Sequence, residues 1–225
     1  MIFLALTILQ LYNPPIFWEE YWSEIDETRE TELSVSLNPE LAKIHYERIA
    51  SVIHPYVKEG DKVLDVGTGA GFWAVFFERM GCFPLAVDIA ASSVMYVREK
   101  GIDAVLCDVA DDSSIQALLP RGPFSIISAM NVLHHIVDDE RFRNAIENCS
   151  ALIDDGGYLF ITSKFDTLLS MSHSRPFAYK KYRPLDVWIK VLKRYKFRVV
   201  EYKVTPDEYA GRELCNDVLI ARKVR

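Results

Sequence analysis

The sequence predicts an α/β fold: a doubly wound, seven-stranded, mostly parallel sheet with an antiparallel last strand. Three observations carry this. From Asp61 onward, short apolar runs alternate with segments of helical periodicity. The first of those runs leads into a glycine-rich turn, Val63-Leu64-Asp65-Val66-Gly67-Thr68-Gly69-Ala70-Gly71. The last two runs lie close together with no helical pattern between them, so they should pair antiparallel.

Each element has its own signal. Val63, Leu64 and Val66 suit a strand buried on both faces, and Phe72 to Phe77 reads as a buried helix after the glycines. Phe83 to Val87 is a second strand ending at Asp88, and Ala90 to Lys100 its helix. Asp103 to Leu106 is a third strand, followed by a brief helical piece over Ile115 to Leu119 and a stop at Pro120. Phe124 to Ala129 is a wholly apolar fourth strand. Asp138 to Leu152 is a helix with Phe142, Ala145, Ile146 and Leu152 inward, closed by Asp155-Gly156-Gly157. Tyr158 to Thr162 is the fifth strand. Pro184 to Tyr195 places Leu185, Trp188, Ile189 and Leu192 at helical spacing, and Phe197 to Val204 and Asp217 to Ala221 finish the sheet.

Residues 1–37 read as an N-terminal appendage to a domain spanning 38–225. Met1 to Tyr12 is apolar but lacks a basic start and a small-residue cleavage site, and it is too short to span a bilayer. Asn13-Pro14-Pro15 ends it. It is expected to contact the domain or a second subunit, which makes a homodimer one expectation. Glu19 to Glu32 is acidic and carries Trp18, Tyr21 and Trp22 around it. Asn38-Pro39 looks like a helix cap with proline at the first helical position, and Leu41, Ile44, His45, Ile49, Val52 and Ile53 continue that helix. His45 and His54 read as structural.

Composition narrows the function classes. Half of the 225 residues are apolar, which is enough for a full core. A net charge of -6 and a pI near 5.4 argue against general nucleic-acid binding. Cys82, Cys107, Cys149 and Cys215 are scattered, without C-x-x-C pairs or neighbouring histidines at zinc-ligand spacing. They read as buried thiols of a reducing, cytoplasmic setting, with no metal implied.

A strand, a glycine-rich turn and a helix start are the parts of a nucleotide crevice, because glycine lets a ligand lie against the main chain. A dinucleotide fingerprint, G-x-G-x-x-G, would need glycine at position 72, where Phe72 stands. The pattern Asp65-x-Gly67-x-Gly69-x-Gly71 instead resembles the first motif of the class I S-adenosylmethionine-dependent methyltransferases. That resemblance implies a Rossmann-like methyltransferase fold and S-adenosyl-L-methionine as cofactor. It implies a loop of Gly67, Thr68, Gly69 and Gly71 around the methionine end, with Asp65 facing the ammonium. Asp88 matches the acid that accepts both ribose hydroxyls, with Ile89 beside it. Asp108 and Val109 match the positions that meet adenine.

The segment Ser128-Ala129-Met130-Asn131-Val132-Leu133-His134-His135-Ile136 resembles the His-containing loop of methyltransferases acting on small molecules. It lacks the Asn/Asp-Pro-Pro-aromatic signature of enzymes that methylate adenine or glutamine amides. Asn131 would bound the methionine end, and His134 or His135 could serve as general base. The connection from Ser163 to Arg183 is long enough to be functional. Its aromatics Phe165, Phe177, Tyr179 and Tyr182 suit a substrate-side cap, and Arg175, Lys180, Lys181 and Arg183 suit a solvated basic face, or else an anionic substrate or RNA. The N-terminal aromatics suit a flap over the cofactor. Two other classes stay open: a nicotinamide-dependent oxidoreductase, and a catalytically silent protein that binds the cofactor and acts through a partner.

Overall fold

The computed structural model describes residues 13–25, 39–165, 170–173, 179–204 and 217–225. Helix α1 (Pro14–Trp22) precedes α2 (Pro39–Ile53), and the sheet then begins with β1 (Lys62–Val66), α3 (Phe72–Arg79), β2 (Phe83–Asp88), α4 (Ala91–Glu99) and β3 (Asp103–Leu106). A short helix α5 (Asp112–Ile115) leads to β4 (Phe124–Met130). Next come α6 (Asp139–Leu152), β5 (Ile153–Ser163), β6 (Ser170–His173), β7 (Tyr179–Tyr182), α7 (Leu185–Arg194), β8 (Phe197–Lys203) and β9 (Asp217–Lys223).

The main sheet runs β3-β2-β1-β4-β5-β9-β8. Strands β1 to β5 are parallel, and β9 is antiparallel to both β5 and β8. The chain order reverses beside β1, so the carboxyl ends of β1, β2 and β4 open a crevice at one edge, where doubly wound sheets bind ligands. Asp65 pairs in register with Ala86 on one side and Ser128 on the other, which sets these ends level.

Burial on both faces explains the near-continuous apolar strands. On one face Ile49 and Ile53 of α2 and Phe77 of α3 pack on Val63, Ile126, Phe160 and Val218. On the other, Phe142 and Ile146 of α6 and Trp188 and Leu192 of α7 pack on Leu64, Ile127, Leu159 and Leu219. His45, one turn before Ile49, is buried with neither ring nitrogen paired, and burial holds its imidazole down to about 4.

Three local expectations change. Asn13-Pro14-Pro15 opens a helix: the Asn13 side chain accepts from Ile16 N–H, and Pro14 takes the first helical position. Asp155-Gly156-Gly157 lies within β5, where the register with β4 shifts between Phe124 and Ile126. The connection after β5 contains a hairpin, β6 with β7, whose polar strands Ser-Met-Ser-His and Tyr-Lys-Lys-Tyr carry no alternating apolar signal.

Among the described residues no helix is long and apolar enough to cross a membrane, and no group of three or more His, Cys, Asp or Glu is placed to hold a metal ion. Cys82, Cys107 and Cys149 are free and buried; Cys215 lies outside the described residues.

Candidate active site

The crevice starts at the glycine loop. Gly67 and Thr68 donate their N–H groups to Val87 O at 2.7 and 3.1 Å, which ties the loop to the end of β2. Gly67, Gly69 and Gly71 have φ of 64°, 53° and 80°, a region that side chains with a Cβ rarely adopt. A Cβ on Gly67 would strike Val132, and one on Gly69 would lie 2.8 Å from Trp22 Cζ2. Glycine is therefore required here for close approach as well as for conformation.

Asp88 closes the neighbouring strand. It is buried, its Oδ2 accepts the Gly69 N–H at 2.9 Å, and its Oδ1 accepts the Ala90 N–H at 3.0 Å. Ser93 Oγ donates to Gly69 O at 2.7 Å from the other side. Burial pushes the carboxyl up, against the pull of these N–H groups. The acid thus sits between the glycine loop and the start of α4, with Ile89 half-buried next to it.

Beneath the loop lies a second buried acid. Asp65 Oδ2, Thr68 Oγ1 and Ser128 Oγ are buried and lack hydrogen-bond partners. Burial pushes the Asp65 carboxyl up to about 7; the Thr68 and Ser128 hydroxyls lie close enough to oppose that rise, though not in hydrogen-bond geometry. Of the three, Asp65 Oδ2 is acceptor-only when ionised; it has room for a further donor beside the two hydroxyls, and an ammonium is one.

The loop after β4 is held in an unusual shape. Asn131 has φ 61°, donates its N–H to Thr162 Oγ1 at 2.8 Å, and accepts from the same hydroxyl at 2.7 Å. A 3₁₀ turn over Leu133–His135 follows. His134 is buried with Nδ1 unpartnered. Burial, then the charges of His135, Lys180, Lys164 and Arg183, hold its imidazole well below the usual range, so it is neutral near pH 7. The half-buried His135 lies 4.4 Å from the His134 ring and meets the edge of Trp18 at 4.8 Å.

A family model described as "Methyltransferase domain" matches residues 41–201. The chain belongs to the class I S-adenosylmethionine-dependent methyltransferases. Among curated proteins, it is 28% identical over 108 residues to the ubiquinone biosynthesis O-methyltransferase of Paracidovorax citrulli, covering 47% of this chain and 44% of that one. The match to the enzyme of the same name from Xylella fastidiosa strain 9a5c is 30% over 111 residues, 48% of this chain and 44% of the other. The chain thus spans less than half the length of these relatives. Among solved structures, magnesium protoporphyrin IX methyltransferase from Synechocystis PCC 6803 has a TM-score of 0.68 at 16% identity, covering 94% of this chain and 97% of that one. A Burkholderia thailandensis 1,6-didemethyltoxoflavin-N1-methyltransferase has a TM-score of 0.64 at 20% identity, covering 80% and 79%. These two likenesses show the fold.

As a member of this family, the chain brings Asp65, Gly67 to Gly71, Asp88 and Asn131 to the carboxyl ends of three adjacent strands, with Asp108 and Val109 just beyond β3. Asp108 is already engaged: Oδ1 accepts the Ala110 N–H at 2.9 Å, and Oδ2 pairs with Arg141 at 2.5 Å. An adenine amino group would share those oxygens. Val109 is buried, and its carbonyl accepts from Asn148.

Two of the basic residues after β5 are also spoken for. Lys181 pairs with Asp139 at 2.8 Å. Arg183 is buried, pairs with Asp139 at 2.9 Å and donates to Ile136 O at 2.9 Å. Both tie β7 to the start of α6. Arg175 and Phe177 lie outside the described residues.

Helix α1 is the part of the chain that sequence patterning least revealed. Trp22 is buried against Gly69, Ala70, Ala90 and Tyr96. Glu19 accepts from Ser92 N–H at 3.2 Å and from the Ser92 hydroxyl, which serves the start of α4, where Ala90 offers no side-chain cap. With Trp18 on His135, the helix spans from the glycine loop to the loop after β4. Asn13-Pro14 was the available signal for it.

Proposed function

We propose that the protein transfers the methyl group of S-adenosylmethionine to a small-molecule acceptor placed beside the loop after β4. One observation carries this reading: the positive-φ glycine loop lies between two buried acids, Asp88 at the end of β2 and Asp65 with its unpartnered neighbours. The residues fit the cofactor. Asp88 would hold the ribose hydroxyls with its remaining lone pairs, and Asp65 would meet the ammonium. Bound there, the cofactor supplies a methyl carbon on a cationic sulfur that leaves as a neutral thioether, so no protein acid is needed for the leaving group. The chain's own task is to align the acceptor and exclude water. His134, neutral with a free Nδ1, can accept the acceptor's proton; its lowered pKa makes that a transient stop before solvent. An oxygen acceptor is the version that the names of the curated relatives favour.

S-adenosylhomocysteine and S-adenosylmethionine should therefore stabilise the protein. At a hundredfold excess over Kd the gain is about 2.7 kcal/mol, or roughly 5–10 °C in Tm at this size. NAD and NADP should give no shift; a shift with them and none with S-adenosylmethionine would support the oxidoreductase alternative. Phe72 already weighs against that alternative, since it opens α3 and stacks on Tyr46 at 3.6 Å. The silent-binder alternative predicts stabilisation without S-adenosylhomocysteine formation on any acceptor.

We further read α1 as the lid of the site. The expected homodimer contact falls on Met1 to Tyr12, outside the described residues, and α1 itself is used within the chain. The free buried thiols support a reducing, cytoplasmic setting. Removing residues 1–25 should weaken cofactor affinity by about tenfold and raise amide exchange at Gly69 to Ser93, because Trp22 and Glu19 both leave. Unchanged affinity and exchange would assign α1 to another role.

A further inference from the structure

The corner where β5, β7 and the turn after β4 meet holds polar groups that neither the fold nor the cofactor uses. Lys164 follows the last residue of β5 and is half-buried, with Nζ 5.5 Å from the Tyr182 ring centroid. The buried Tyr182 ring lies 5.2 Å from that of His134, whose Nδ1 is buried and unpartnered. Ser163 Oγ, one residue before Lys164, is likewise buried and unpartnered. Among the described residues no carboxylate pairs with Lys164. Its neighbours Lys181 and Arg183 differ, since Asp139 takes up both. A half-buried ammonium without a counter-ion is costly in a chain of net charge -6, where carboxylates are plentiful.

We propose that this corner is the acceptor's recognition pocket, that Lys164 binds a carboxylate of the acceptor, and that His134 Nδ1 receives a hydrogen bond from its hydroxyl. The inference rests on the methyl-transfer reading above and adds the substrate class, a hydroxylated carboxylic acid. Donor geometry, more than charge, selects a carboxylate over a phosphate ester: Lys164 and Lys180 both place positive charge on His134, but a phosphate dianion calls for an array of donors, and the Arg183 guanidinium that could supply one is spent on Asp139 and Ile136 O. The Tyr182 ring that Lys164 overlies continues through His134 and His135 to Trp18 as a run of packed rings, so an aromatic acid is the acceptor that suits this corner best. Burial, aided by the positive charges around it, keeps His134 neutral and leaves a ring lone pair for the incoming hydroxyl.

The test uses the full chain loaded with S-adenosylhomocysteine. It is titrated calorimetrically with 2-, 3- and 4-hydroxybenzoate and with the primary amide of each. At least one acid should bind about tenfold or more tightly than its amide, the scale of one desolvated charge pair. In Lys164→Met that preference should fall to within about twofold while S-adenosylhomocysteine affinity is kept, and Lys164→Arg should restore most of it. Acids and amides binding alike, no acid binding at all, or a preference that survives Lys164→Met would each overturn the proposal. Failure to bind S-adenosylhomocysteine would instead overturn the methyl-transfer reading, so the two failures are distinguishable.

Discussion

Gly69→Val should lose cofactor binding altogether, by a factor beyond about a hundred, which is near 3 kcal/mol. Three effects add at this one residue. The backbone stands at φ 53°, where a β-branched residue pays more than the roughly 1–2 kcal/mol usual for a left-handed residue. The new Cβ would lie 2.8 Å from Trp22 Cζ2, and its two methyl groups would press further into the space over the loop. Any shift of residue 69 also moves the N–H that Asp88 Oδ2 accepts, and with it the proposed ribose acid. Gly101 provides the control. It also has a positive φ, 85°, but nothing lies within 4 Å of the Cβ position, so Gly101→Asn should bind normally. Gly81 serves less well, since its Cβ would meet Glu59 Cγ at 2.8 Å. Calorimetric titration of both variants with S-adenosylhomocysteine, beside their circular dichroism, separates binding from folding. Equal affinity in the two would reduce the loop to a turn.

What could be read in the sequence was what neighbouring residues settle between themselves. The seven strands followed from apolar runs, and the reversed β9 from its closeness to β8. Gly67, Gly69 and Asp88 stood out because a strand end, a turn and a helix start are all local. The contacts that were not legible join residues far apart in the chain. Trp22 against Gly69, Glu19 at Ser92 and Arg141 on Asp108 are fixed by how α1, α4 and α6 dock, and no local pattern encodes a docking angle. Arg183 shows the same limit. As one of several basic residues it read as part of a charged face, yet β7 carries it inward, over the Phe142 ring at 3.9 Å and onto Asp139. Asp88 changes in weight too. Its two backbone partners make Asp88→Ala a loss of loop structure as well as of the proposed ribose contact, since two buried N–H groups would be left unsatisfied.

Asp65 should make cofactor binding release a proton. In the free protein its carboxyl is held up to about 7 by burial, so at pH 6 most molecules carry it protonated. An ammonium arriving beside it favours the ionised form. Binding of S-adenosylhomocysteine at pH 6 should then release close to one proton, and at pH 8.5 almost none. Calorimetry in two buffers of different ionisation enthalpy reads this directly. In Asp65→Asn the release should vanish and affinity should fall by about tenfold or more, as for loss of a hydrogen bond to a charged group. The same residue predicts the opposite trend for stability without ligand. A carboxyl whose folded pKa lies above its unfolded value adds stability that is fully present below about pH 4 and is lost as the pH rises to about 7. The difference amounts to something on the order of 4 kcal/mol. Asp65→Asn, which has no charge to bury, should therefore unfold at higher denaturant concentration than the wild type at pH 8 and match it at pH 4. A variant that binds more weakly yet is more stable would mark Asp65 as a group kept for the ligand. Buffer-independent binding heats at pH 6, or a proton release that survives Asp65→Asn, would show that the ammonium is met elsewhere.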